Sequence, residues 1–190
     1  IMQPPFFDKD FPKAMNYGAM GMVMAHEVSH GFDDSGRKFS PTGELTEWWA
    51  PEVAERFEER AACLVDQYAG YEVQPDLFVN GKLTLGENIA DLGGIKQSHR
   101  AYTRWRAENG PEPEIAGLTN DQLFFVAYAQ AWCSIQTPES EAERVQRDPH
   151  SPPRFRVNGP VRNFRAFGEA FDCEVGQPLY PEEDEICVIW

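Results

Sequence analysis

Residues 24–37 read MAHEVSHGFDDSGR. Two histidines stand four apart, His26 and His30, with Glu27 directly after the first and Asp33 and Asp34 just past the second. On a helix, positions i and i+4 lie on one face one turn apart, so both imidazoles point the same way. Two ring nitrogens so placed can meet on one zinc ion at roughly 2.0–2.1 Å. Glu27 is rotated about 100° from His26, where it can hold a metal-bound water without being a ligand. This is the logic of H-E-x-x-H: zinc acidifies the water and the glutamate takes its proton. With 4 histidines in 190 residues, the pattern arises by chance in roughly one such chain in a hundred. The motif therefore needs a third ligand before it counts as a site.

GENIADLGG, residues 86–94, supplies a candidate. Glu87 and Asp91 are four apart, so on a helix they share a face. Glu87 can ligate the metal while Asp91, one turn on, accepts the second N–H of a ligating histidine and fixes its tautomer. The competing reading is that Glu87 closes a capping box with Thr84. The small residues Gly86, Ala90, Gly93 and Gly94 favour the metal reading, because they let this helix approach another closely. Asp33 can orient a histidine ligand, while Asp34 suits a cap or a solvent position. His150 lies in the proline-rich stretch DPHSPPRFR, residues 148–156, and can donate a hydrogen bond to a tetrahedral oxyanion. Arg156 can clamp a carbonyl or carboxylate. His99, about 120° away from the face of Glu87, reads as a surface histidine.

Helical spacing predicts helices over 17–30, closed by Gly31, from about Pro51 to Ala69, from Thr84 to about Arg106, and over 118–132 behind the capping pattern Thr119-x-x-Gln122. Asn80-Gly81 inside FVNGKLTL, residues 78–85, predicts a hairpin. The tail from Pro138 mixes short helices with proline and glycine turns. The sum is a mainly helical domain over residues 1–190 with a small β component, without repeats or a composition shift.

A net charge of -14 excludes nucleic acid as a partner, since phosphates need a basic surface, and disfavours anionic membranes. No run of 18 apolar residues occurs, so this segment makes no membrane contact of the spanning kind. The chain starts at Ile1 rather than Met, which reads as a portion of a longer protein whose upstream part can carry a signal or anchor. Cys63, Cys133, Cys173 and Cys187 form no C-x-x-C pair, so two disulfides and four separate thiols both remain open on spacing.

Taken together, HEVSHGFDD, ENIADLGG, GLTNDQLFFVAYAQAWC, the DPHSP…FR segment and the C-terminal Cys187-x-x-Trp190 resemble the neprilysin and endothelin-converting-enzyme family of zinc metallopeptidases. The resemblance runs from IMQPPFFD to Trp190. It implies a thermolysin-like zincin (gluzincin) catalytic domain, the C-terminal part of a longer protein, that cleaves short peptides on the amino side of large apolar residues. It implies one Zn2+ per chain on His26, His30 and Glu87, with Glu27 as general base, Asp33 and Asp91 behind the ligands, His150 on the oxyanion and Arg156 on the substrate carbonyl. Ile1, Phe6, Met22, Val23 and Trp132 match positions around the pocket for the residue after the cut bond. A Cys63–Cys187 disulfide is implied, with Cys133 and Cys173 left without partners here. The implied compartment is extracellular or secreted, including ectodomains of anchored proteins and secreted bacterial forms. The family's substrate-pairing strand and helical roof precede the position of Ile1. The implied partners are thus a peptide substrate and an upstream segment, or a second chain, that completes the cleft. A zinc-binding interaction fragment without catalysis and a zinc aminopeptidase are the alternatives, though the latter lacks a visible acidic anchor for a free amine.

Overall fold

The computed structural model describes all of residues 1–190. A helical run opens it: α1 (Lys13–Asn16), a π turn over Tyr17–Gly21, α2 (Met22–Ser29) and a 3-10 turn over His30–Phe32. Gly31 therefore lies inside the final turn and does not close the helix as expected; the chain leaves helical geometry at Asp33, which is extended. Then follow α3 (Pro51–Ala69), β1 (Glu72–Gln74), β2 (Leu77–Phe78), α4 (Leu85–Asn109), α5 (Asn120–Ala131), α6 (Pro138–Arg147), α7 (Pro153–Arg162) and α8 (Arg165–Ala170).

The bounds of α3 are those the sequence predicts. Pro51 occupies its first turn, where no amide donor is needed. Its buried residues Phe57, Ala61, Leu64 and Tyr68 recur at helical spacing and form one apolar stripe. α5 begins at the predicted capping box, with Thr119 accepting from Gln122 N and the Gln122 side chain accepting from Thr119 N. The sheet is a correction. The hairpin is β1–β2, turning at Pro75-Asp76 with Asp76 at φ 62, and Asn80-Gly81 lies beyond it. There Asn80 opens the turn into α4: its carbonyl accepts from Thr84 N and its side chain from Leu83 N.

α4 organises the interior. Its first half packs Ile89 and Leu92 into a core with α3, β1, α6, Phe155 and the C-terminal Cys187 and Ile189. Its second half packs Ile95 and Tyr102 into another core with α1, Met22, α5 and Val161. Between the two, α2 lies against α4 over Gly93 and Gly94. A Cβ on Gly94 would stand 3.0 Å from the Met22 carbonyl and 3.1 Å from His26 Cβ, so glycine is what permits this approach. Cys63 is bonded to Cys187, tying α3 to the tail across a separation of 124 residues, and Cys133 and Cys173 are free.

The same two-sided packing corrects the reading of His99. It is not a surface residue: its ring packs against Phe124, Phe125 and Phe164, and its Nε2 lies 3.4 Å from Asp121.

Candidate metal centre

α2 presents His26 and His30 on one face, and their Nε2 atoms stand 3.0 Å apart. α4 brings Glu87 to the same point: Oε2 lies 3.3 Å from His26 Nε2 and Oε1 lies 3.6 Å from His30 Nε2. Four donors arranged tetrahedrally about 2.0–2.1 Å from one zinc stand roughly 3.3–3.4 Å from each other. The three observed separations bracket that spacing. Glu87 Oε2 is moreover buried and makes no well-aligned hydrogen bond, its nearest donors being His26 Nε2 at 3.3 Å and Arg156 Nη2 at 3.5 Å; such an oxygen is stabilised by a cation held closer to it. The donor set of two imidazoles and a carboxylate fits a zinc site with a fourth position open to water or substrate.

Glu87 reaches this point because the expected capping box does not form. The Thr84 hydroxyl instead donates to the Asn80 carbonyl and accepts from Asn88 Nδ2. Asn88, fully buried, also takes the Ser151 hydroxyl on its Oδ1. The polar groups at the start of α4 satisfy each other and leave Glu87 to face the histidines.

Carboxylates stand behind both rings. His26 Nδ1 lies 2.8 Å from Asp91 Oδ1, and His30 Nδ1 donates to Asp33 Oδ2 at 2.7 Å. An ionised carboxylate can only accept, so His30 Nδ1 carries the proton and its Nε2 turns to the centre. Asp91, 2.8 Å from His26 Nδ1 but off the line of a hydrogen bond, favours the same tautomer there. Asp33 is itself fixed by the backbone N–H groups of Ser35 and Gly36. Asp91 also receives Nε and Nη2 of Arg156 at 2.8 and 2.7 Å, and the Arg156 guanidinium stacks 3.9 Å from the Trp132 ring centre. Without a metal, burial works most strongly against a charged His26, yet Asp91 and Glu87 outweigh it and raise its pKa to about 9, so zinc would have to displace the Nε2 proton. Burial likewise opposes ionised Asp91, and Arg156 and His26 together hold its carboxyl below the usual range. Glu87 is lowered in the same way, by His26, His150, His30 and Arg156 against burial.

His150 approaches from the loop between α6 and α7, with Nε2 3.3 Å from Glu87 Oε1. Its Nδ1 donates to Asp148 Oδ1 at 2.7 Å, and its backbone N–H donates to the same oxygen at 2.9 Å. Burial pushes the Asp148 carboxyl up, but these bonds and Arg144 bring it down to about 2. Sequence reasoning missed Asp148. Its signal was the Asp-Pro-His spacing: Pro149 has no N–H, so an aspartate here closes onto the amide two residues on.

The remaining candidates differ in exposure and packing. Glu27 is exposed next to His26 on α2. Asp34 is half-buried and faces Gly86. Val23 and Trp132 are half-buried against the second core, Phe6 is half-buried and bonded through its carbonyl to Met20 N, and Ile1 is exposed. Met22 is a correction to the pocket set. It is fully buried in the second core and offers no surface to a ligand.

The description "Peptidase family M13" belongs to a family model that matches residues 1–187. Neprilysin-1 of Caenorhabditis elegans is 48% identical over 195 residues, covering 100% of this chain and 26% of that protein. Endothelin-converting enzyme 1 of Bos taurus is 47% identical over 192 residues, covering 100% of this chain and 25% of that protein. The crystal structure of the Mycobacterium tuberculosis zinc metalloprotease ZMP1 in complex with inhibitor superposes with a TM-score of 0.94 at 40% identity, over 100% of this chain and 30% of that one. The chain thus spans about a quarter of the length of the curated relatives it matches. Identity at this level along the whole chain, with the family match over residues 1–187, makes it a member of peptidase family M13.

Proposed function

We propose that residues 1–190 are the catalytic portion of a zinc-dependent endopeptidase acting on short peptides. The observation that carries this reading is the convergence of His26 Nε2, His30 Nε2 and the buried, unbonded Glu87 oxygen, with His150 facing them. His26, His30 and Glu87 would hold a zinc ion, which would supply a Lewis acid for acidifying water and polarising the scissile carbonyl. Glu27 takes the proton of the attacking water and hands it to the leaving amine. His150, its Nδ1 turned to Asp148, donates from Nε2 to the oxyanion as charge develops there. Arg156 uses Nε and Nη2 on Asp91, and its Nη1 binds a substrate carbonyl. Asp91 and Asp33 hold the two histidine ligands in the tautomer that turns Nε2 inward.

Ile1, Phe6, Val23 and Trp132, with Met22 behind them, form the apolar wall for the residue after the cut bond. That wall favours cleavage on the amino side of large apolar residues. The only sheet is the β1–β2 hairpin, and no residue of the metal centre lies on it. An edge strand is one way to hold a peptide by its backbone hydrogen bonds, and we assign that strand to polypeptide outside residues 1–190, from the same protein or from a second chain. The Cys63–Cys187 disulfide supports an oxidising, extracellular or secreted setting. No helix is long and apolar enough to cross a membrane.

Glu27→Gln in the full-length protein tests the reading, because it removes the base and keeps the shape. Zinc content should equal that of the wild type, and kcat should fall about 10²–10⁴-fold. Turnover within a few-fold of wild type rejects Glu27 as the base. A wild-type protein that binds zinc and cleaves no peptide leaves the non-catalytic zinc module as the better reading.

A further inference from the structure

We infer that Arg144 is a positioning residue for the oxyanion arm: from α6 it fixes the carboxylate of Asp148, and Asp148 fixes the ring of His150. This rests on the reading of His150 given above.

Both oxygens of Asp148 are in use, and they are divided by function. Oδ1 takes the backbone N–H and the Nδ1–H of His150, at 2.9 and 2.7 Å. Oδ2 takes Nε and Nη2 of Arg144, at 3.0 and 2.7 Å. Arg144 is the only donor to Oδ2. It presents a planar pair of N–H groups, a geometry that sets the plane of the carboxylate as well as its position. The main chain closes the same link, since Asp148 N donates to the Arg144 carbonyl at 2.7 Å at the end of α6. Arg144 is thereby built into the arm. Without it, Oδ2 has no partner in the chain, the carboxylate can turn about its own axis, and Oδ1 no longer holds the imidazole in one plane.

The same helix carries its own control. Arg147 sits in the same last turn and pairs with Glu143 at 3.6 Å, four residues before it. That pair is 80% and 70% exposed and touches nothing in the site, whereas Arg144 and Asp148 are 49% and 22% exposed. Loss of charge from the helix end is common to both arginines; contact with Asp148 belongs to Arg144 alone. Because partly exposed ion pairs contribute modestly, the expected effect is small and confined to the step His150 serves.

The test uses full-length protein: wild type, Arg144→Met, Arg144→Lys, Arg147→Met and His150→Ala. For Arg144→Met, kcat should fall about three- to fivefold, with KM within about twofold and zinc content unchanged. Arg144→Lys should recover part of the loss, and Arg147→Met should match wild type. In 15N-labelled protein, the Nδ1 proton of His150 should exchange with solvent faster in Arg144→Met than in Arg147→Met. Equal kcat and equal exchange in the two methionine variants would overturn the proposal, as would a loss confined to KM. If His150→Ala keeps wild-type kcat, the reading of His150 itself fails, and the Nδ1 exchange rate still decides whether Arg144 sets the ring.

Discussion

The ligand side of the cleft and the His150 side are held by very different amounts of protein. His26, Glu87 and Asp91 lie between α2 and α4, whose contact is closed over Gly93 and Gly94. Asp91 is 0% exposed and carries both His26 and Arg156. His150 stands on a loop, 41% exposed, tethered through one carboxylate to the end of α6. Buried polar groups are costly to disturb because nothing replaces a lost partner; exposed ones exchange theirs for water. The ligand side is therefore coupled to folding, and the His150 arm can be weakened with the fold intact.

The sharpest way to break that contrast is Asp91→Ala. It leaves the Arg156 guanidinium and His26 buried without their carboxylate, a loss of about 3–5 kcal/mol of stability for a buried pair deprived of one partner. Urea unfolding together with zinc analysis should show both losses. The double variant Asp91→Leu with Arg156→Met should recover much of the stability but not the zinc. If Asp91→Ala unfolds like wild type, the ligand side is not coupled to the core as described.

His150→Ala probes the other arm. It should lower kcat by about 10²–10³-fold, the usual cost of one oxyanion donor, with little change in KM or in the urea midpoint. A matching loss of stability would mean that the two arms are built alike.

The smallest expected effect is on acid stability. The Asp148 carboxyl is depressed to about 2 in the folded chain, against about 3.9 for an unfolded aspartate. A depressed carboxylate stabilises the fold above its unfolded pKa, and that contribution disappears as pH falls through the folded value. Metal-free wild type should therefore exceed metal-free Asp148→Asn in stability at pH 5, and the gap should close toward pH 2. A gap constant over that window would show that the Asp148 charge does not stabilise the folded arm.

Much of the site was legible because its residues sit at helical spacing. His26/His30 and Glu87/Asp91 are each i, i+4 pairs, and a helix brings each pair to one face whatever surrounds it. The bounds of α3 and the capping box of α5 were legible for the same reason, since Pro51, Thr119 and Gln122 act on their own turns. The Asn80-Gly81 hairpin failed because a long-range contact outweighed a local preference. A Cβ at Gly81 would stand 2.1 Å from the Val65 carbonyl of α3, so this glycine serves a close crossing rather than a hairpin turn. Thr84 failed as a box partner because buried Asn88 claims its hydroxyl. His99 failed because the rings that cover it, Phe124, Phe125 and Phe164, come from α5 and from the turn after α7, and spacing within α4 does not reveal them.

The sequence by itself determined which candidate side chains share a helix face, since intrahelical spacing depends only on neighbours within a turn or two. Only the tertiary structure decided that the α2 and α4 pairs meet at about 3 Å, that Glu87 faces the two histidines rather than its own helix cap, and that Asp148 and Arg144 stand behind His150. Those outcomes depend on how closely two helices can approach and on which buried polar group finds which partner. Such contacts join residues far apart in the chain, and their energies are settled by packing and desolvation over the whole interior.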